Sequence, residues 1–163
     1  MKERTEIKKT ARAALVGAVY ALLTLVWPLS LGPIQIRLSE ALCLLPIFAP
    51  EAVAGLFIGC LLGNLLSGAM WFDVIFGSLT TLAAACLTRK LRDRGFWIYA
   101  LPPVVLNGVI VGTVVHFAYS GNPALSLLPL TMLTVGAGEA AAVYGIGGLT
   151  QKAFKRAVKR HDK

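Results

Sequence analysis

The sequence predicts an all-α integral membrane protein, a six-transmembrane-helix bundle with a short second helix and both termini in the cytoplasm. Three observations carry this reading. A hydrophobic fraction of 56% and a mean hydropathy of +0.71 over 163 residues leave too few polar side chains to coat a water-soluble globule of that size. Turn and charge signals divide the apolar runs into six segments, each full crossing needing about twenty residues. Almost nothing remains for a soluble domain, so residues 1–163 read as a single membrane-embedded domain. Finally, the 16 Lys and Arg are clustered: five lie in Lys2 to Arg12, four in Arg89 to Arg94, six from Lys152 onward, and Arg37 stands alone. In a six-span chain the three clusters fall on one side, the positive-inside pattern of a multi-pass protein. The net charge of +8 and pI near 9.8 are therefore assigned to orientation and to anionic lipid headgroups, not to nucleic acid.

In chain order, residues 1–12 form a basic cytoplasmic lead-in and Ala13 to Trp27 the first span, closed by Trp27-Pro28 at the outer interface. A signal peptide is the competing reading, but no small-x-small cleavage site follows, and removal would spoil the parity of the basic clusters. Ala13, Gly17 and Ala21 form one small-residue stripe, Ala14 and Ala18 a second; either suits close approach of another helix, inside this protein or from a partner. The Pro- and Gly-punctuated run Pro28 to Ile36 reads as an outer loop. Arg37 to Phe48 then leaves only a short helix, rising about 18 Å, which must be broken, tilted or sunk within the bundle.

The third span, Glu51 to Ser67, carries Gly55, Gly59, Gly63 and Ser67 at strict four-residue spacing, a nearly bare backbone face for helix packing or for a flat ligand. Phe72 to Thr88 is the fourth, with Asp73 in its first turn, where it suits the positive end of the helix dipole. Arg89 to Gly95 is a short cytoplasmic loop. Trp97 anchors the fifth span, Pro102-Pro103 bends or resets it, and Asn107, Gly108, Gly112 and His116 follow. The sixth runs from near Ala124 or Pro129 to Gln151 and holds Glu139; residues 152–163 are a basic cytoplasmic tail.

A carboxylate inside a span normally faces protein or a wet cavity. Counting back from the cytoplasmic markers, Glu139, Asn107 and Asn64 each lie thirteen positions along their spans, roughly 20 Å above the inner face, and Asp73 one turn higher. With Arg37 and Glu40 entering from the second segment, these residues predict a polar layer around a pocket open to the outside. Arg37 and Glu40, three residues apart, either pair with each other or meet a ligand directly.

Other chemistry is excluded. Cys43, Cys60 and Cys86 are dispersed in apolar runs without a CxxC pair and read as small buried hydrophobes. His116 and His161 have no companions at ligand spacing, so no metal or other cofactor is expected, and no Ser or Cys nucleophile has an evident base. No catalytic residue is assigned. A phosphate-cradling GxxxxGKS/T motif is absent, so uphill transport would draw its energy from a partner.

The run GPIQIRLSEALCLLPIFAPEAVAGLFIGCLLGNLLSG, followed by FDVIFGSLTTLAAA, resembles the QueT family, the queuosine-precursor substrate-binding (S) components of energy-coupling factor (ECF) transporters. The resemblance is specific at Gln35, Arg37, Ser39, Glu40 and Asp73, and the Ala14/Ala18 stripe resembles the AxxxA face by which such components meet the transmembrane coupling subunit. It implies a non-enzymatic subunit of the bacterial cytoplasmic membrane that captures 7-aminomethyl-7-deazaguanine or queuine from outside. Delivery inward would use the coupling subunit and two cytoplasmic ATPases. The cationic aminomethyl group and the adjacent N–H donors of the guanine-like edge both suit a carboxylate. Glu139 is then the expected recipient of that edge or of the ammonium, Asn107 and Asn64 supply amide contacts, Asp73 is a second candidate for the ammonium, and Gln35 belongs to a covering loop. The alternative is a polytopic scaffold or accessory subunit, whose glycine and alanine stripes need no solute site.

Overall fold

The computed structural model describes residues 2–26, 37–119 and 124–151. Gln35, the Trp27-Pro28 end of the first span and the basic tail lie outside the described residues. Every described element is helical: α1 (Lys2–Val26), a 3-10 helix (Leu38–Ile47), α2 (Ala52–Leu66), α3 (71–90), α4 (Phe96–Tyr119) and α5 (Leu125–Gln151).

This is an all-α, multi-pass membrane protein, and its surface shows why. Leu22, Val26, Leu65, Leu133 and Leu149 point outward, whereas Thr24, Glu40, Asn64, Asp73, Thr81, Asn107, His116 and Glu139 are buried. Such inversion is stable where the solvent is hydrocarbon and polar groups must satisfy one another inside. Six full crossings were expected. Among the described residues only three helices, Glu3–Val26, Phe96–Tyr119 and Leu125–Gln151, are long and apolar enough to cross a bilayer by length and composition. The others fall short for separate reasons. The 15 residues of α2 rise about 22 Å. The chain over 71–90 trades hydropathy for Asp73, Ser78, Thr80, Thr81 and Thr88, all of them buried. The 3-10 helix has 10 residues, which extend about 20 Å.

That short helix is the hub of the fold. Its Ser39, Glu40, Ala41, Cys43, Leu44 and Pro46 are all buried, and it packs against α1, α2, α3 and the Ala141–Gly147 stretch of α5. Gly147 permits the last of these contacts, since a Cβ there would stand 3.1 Å from both the Ala41 carbonyl oxygen and Leu44 Cδ1. With three residues per turn, side chains at i and i+3 eclipse. Glu40 and Cys43 accordingly lie one above the other, and the Cys43 thiol meets Glu40 Oε2 at 2.8 Å.

Two close helix crossings frame the hub. At the first, the Ala13, Gly17 and Ala21 stripe of α1 meets Gly55, Gly59 and Gly63 of α2: a Cβ on Gly59 would lie 2.6 Å from the Gly17 carbonyl oxygen, and one on Gly55 2.4 Å from that of Ala13. At the second, Gly108 and Gly112 of α4 meet Gly136 and Met132 of α5. Small residues let backbones touch where no water-driven force pushes helices together. The other α1 stripe, Ala14 and Ala18, stays exposed on the outer surface.

Three helices widen locally into π geometry, at Asp73–Gly77 in α3, Asn107–Val111 in α4 and Ala141–Gly147 in α5. Each bulge begins at, or two residues after, a polar residue of the expected layer: Asp73, Asn107 and Glu139. Such bulges re-aim side chains and recur at functional sites.

Candidate functional site

The polar residues of the spans are buried and gather in neighbouring groups. Arg37, which precedes the 3-10 helix, has φ −90° and ψ 106°, so it caps the helix from an extended conformation. Its carbonyl oxygen accepts the Glu40 N–H at 3.1 Å, and its guanidinium reaches α3, where Nη2 lies 3.7 Å from Asp73 Oδ1. Arg37 is 4% exposed and Asp73 is fully buried. Tyr119, at the end of α4, donates its hydroxyl to Asp73 Oδ2 at 2.9 Å, and Asn64 donates Nδ2 to the Asp73 carbonyl oxygen at 3.2 Å. Gly77 makes room for this convergence: a Cβ there would stand 3.2 Å from Asn64 Nδ2 and 3.6 Å from Arg37 Nη1.

A second group joins α4 to α5. Asn107 Nδ2 donates to Glu139 Oε1 at 3.2 Å and to the Pro103 carbonyl oxygen at 2.9 Å. That carbonyl oxygen also accepts the Asn107 backbone N–H. On the 3-10 helix, Glu40 accepts the Tyr20 hydroxyl of α1 and the Cys43 thiol, while Thr24 of α1 donates to Ser39 at 3.0 Å. Between the two groups lies a cavity of about 10 Å³ lined by Arg37, Asn107, Val111, Val135 and Glu139, room for roughly one water.

Of the sequence-expected residues, Arg37 and Asp73 come together with Asn64 on one side of the cavity and Glu139 with Asn107 on the other, while Glu40 bonds Tyr20 and Cys43 on the 3-10 helix. Gln35 lies outside the described residues. Two expected contacts are replaced. The Arg37 ion pair is to Asp73 rather than to Glu40, because an extended cap residue does not share the helical face on which i and i+3 side chains meet. Asp73, engaged with Arg37 and Tyr119, is in this conformation a counter-ion rather than a free acceptor for an ammonium. The chain also supplies Tyr20 and Tyr119, which sequence reasoning missed. A tyrosine within a span is ordinary interfacial chemistry. The one available signal was that Tyr20 follows Ala13 and Gly17 at helical spacing, on the face that turns inward.

The ends of the bundle are also sorted. Arg12 of α1 pairs with Glu51 at 3.4 Å, and Arg89 donates to the Pro46 carbonyl oxygen at 3.1 Å, which brings two of the basic clusters to one end. Phe96, Trp97, Tyr99 and Tyr144 pack their rings together at that end. Tyr119 and Met70 mark the other end, the Met70 N–H meeting the Tyr119 hydroxyl at 3.4 Å.

The family described as QueT transporter matches residues 10–156. A stretch of 84 residues is 40% identical to the queuosine precursor transporter QueT of Lactococcus lactis subsp. cremoris, covering 50% of this chain and 49% of that protein. The matched part therefore spans about half the length of that relative. No solved structure matches. The family match takes in both glycine crossings, the 3-10 hub and every described member of the polar network, and the chain belongs to the QueT transporter family.

Proposed function

We propose that this protein is the solute-binding S component of an ECF-type importer, capturing a queuosine precursor, 7-aminomethyl-7-deazaguanine or queuine, from the outer side. It acts as a transport subunit without enzymatic chemistry of its own. A transmembrane coupling subunit and two cytoplasmic ATPases return the loaded protein to release its cargo inward. Family membership supports the class. The observation that carries the site is the buried meeting of Glu139 and Asn107 with Arg37 around a cavity, far more polar chemistry than a packing scaffold needs. Each unpaired polar group at this depth would cost several kcal/mol.

In this reading the chain is one domain whose six helical segments all lie in the bilayer, with Arg12 and Arg89 at the cytoplasmic end and Tyr119 at the outer end. Glu139 and Asn107 read the solute, Asn64, Asp73 and Arg37 hold the opposite wall, and Gln35 sits in the loop that covers the mouth. Ala14 and Ala18, small and exposed on α1, form the face that meets the coupling subunit, since the parallel Ala13/Gly17 stripe is already used inside. Identification by mass spectrometry of a deazapurine retained by the purified protein, together with co-purification of an ATPase-bearing complex, tests both halves. A protein that carries no solute and joins no ATPase would be a scaffold.

A further inference from the structure

Gly77 of α3 leaves one buried point bare, and polar side chains from three segments surround it. A Cβ there would stand 3.2 Å from Asn64 Nδ2 of α2, 3.6 Å from Arg37 Nη1 at the head of the 3-10 helix and 3.9 Å from Asp73 Oδ1 of α3. Asn64 and Asp73 are fully buried and Arg37 nearly so. Among the described residues, Asn64 Oδ1 and Asp73 Oδ1 have no hydrogen-bond partner. The Asn64 amide is oriented by the Asp73 carbonyl oxygen, which accepts from Nδ2 at 3.2 Å; the opposite orientation would set two carbonyl oxygens against each other. Its Oδ1 is therefore an acceptor. Asp73 Oδ2 accepts the Tyr119 hydroxyl, and Arg37 Nη2, 3.7 Å from Oδ1, balances the carboxylate charge, so Oδ1 suits a neutral N–H better than a second cation. An acceptor without a donor is expensive away from water. Two of them beside one point call for donors that these side chains do not supply. Arg37 also lines the cavity with Asn107 and Glu139, so the point borders the candidate site.

Building on the solute-binding role above, we infer that Asn64, Asp73 and Arg37 form the subsite that reads the six-membered-ring edge of a guanine-type base. That edge carries a ring carbonyl, a ring N–H and an exocyclic amine, one acceptor followed by two donors. The three side chains offer the complement: a guanidinium with five N–H groups to share, and the acceptors Asp73 Oδ1 and Asn64 Oδ1. The ring carbonyl accepts from Arg37, the ring N–H donates to Asp73 Oδ1, and the exocyclic amine donates to Asn64 Oδ1. Glu139, across the cavity, is left for the ammonium. A base without the exocyclic amine leaves Asn64 Oδ1 buried and unpaired, and the subsite discriminates against it.

The test is equilibrium binding, to the full chain in detergent, of 7-aminomethyl-7-deazaguanine and of its 2-deamino analogue, which lacks only the exocyclic amine. The wild-type chain should bind the analogue about ten- to hundredfold more weakly. Asn64→Ala should bring the two ligands to within about twofold of each other, whereas a purely structural role for Asn64 would weaken both and keep their ratio. Asn64→Leu, which retains more bulk, takes the place of the alanine variant should that one not fold. Equal affinity of the wild-type chain for the two bases, or an undiminished ratio in the variant, would overturn the subsite and leave the solute-binding role intact. Failure of the wild-type chain to bind either base would overturn both.

Discussion

Gly59 couples the α1–α2 crossing to the site, and substitution by alanine gives a quantity to measure. A Cβ at Gly59 would stand 2.6 Å from the Gly17 carbonyl oxygen, 2.8 Å from Gly17 Cα and 2.9 Å from Tyr20 Cβ. Ordinary contact begins near 3.4 Å, so the helices must separate by about 0.8 Å, and two of the three obstacles are backbone that cannot rotate away. Overpacking of this kind costs about 1–3 kcal/mol. The displacement also acts on Tyr20, whose hydroxyl bonds Glu40. Loosening that bond is worth about 0.5–1.5 kcal/mol, about two- to twelvefold in Kd. Gly59→Ala should therefore lower the melting temperature in detergent and weaken solute binding together. Gly145→Ala is the control, because a Cβ there meets nothing within 4 Å and alanine is the better helix former by up to about 1 kcal/mol. A Gly59→Ala protein that melts and binds like the Gly145→Ala control would refute the claimed contact between crossing and site.

Three further outcomes follow from the same geometry. Arg37→Gln leaves Asp73 buried without its counter-ion and should cost about 3–5 kcal/mol; adding Asp73→Asn should restore most of it, a double-mutant cycle read by thermal unfolding in detergent. Leu133, 70% exposed on α5, faces lipid, so Leu133→Arg should impair membrane insertion by about 2.5–3.5 kcal/mol, measured as the inserted fraction in a translocation assay. Trp at both Ala14 and Ala18 should abolish co-purification with the ATPase-bearing complex while leaving solute affinity unchanged, because these side chains point away from the hub.

Much of the fold was legible because helix packing in lipid depends on spacing. The stripes at Ala13, Gly17, Ala21 and at Gly55, Gly59, Gly63 read directly as close-approach faces, and they are the faces that meet. The depth of Glu139 and Asn107 was legible for a similar reason: counting along a helix from a charged end fixes height, and the two residues bond. What could not be counted was azimuth and helix type. The 3-10 winding of Leu38–Ile47 aligns Glu40 with Cys43, while the extended backbone at Arg37 sends its guanidinium to α3. The π bulges at Asp73 and Asn107 turn those side chains off the register that ideal helices would assign. Tyr20 and Tyr119 were illegible because the same residue type serves equally at a membrane interface.

The most direct test of the central claim is equilibrium binding of 7-aminomethyl-7-deazaguanine to the purified chain, with guanine as competitor and Glu139→Gln as comparison. The account predicts saturable one-to-one binding that guanine displaces poorly and that Glu139→Gln weakens more than tenfold while the protein remains folded. Absence of saturable binding, or an unchanged affinity in Glu139→Gln, would contradict it.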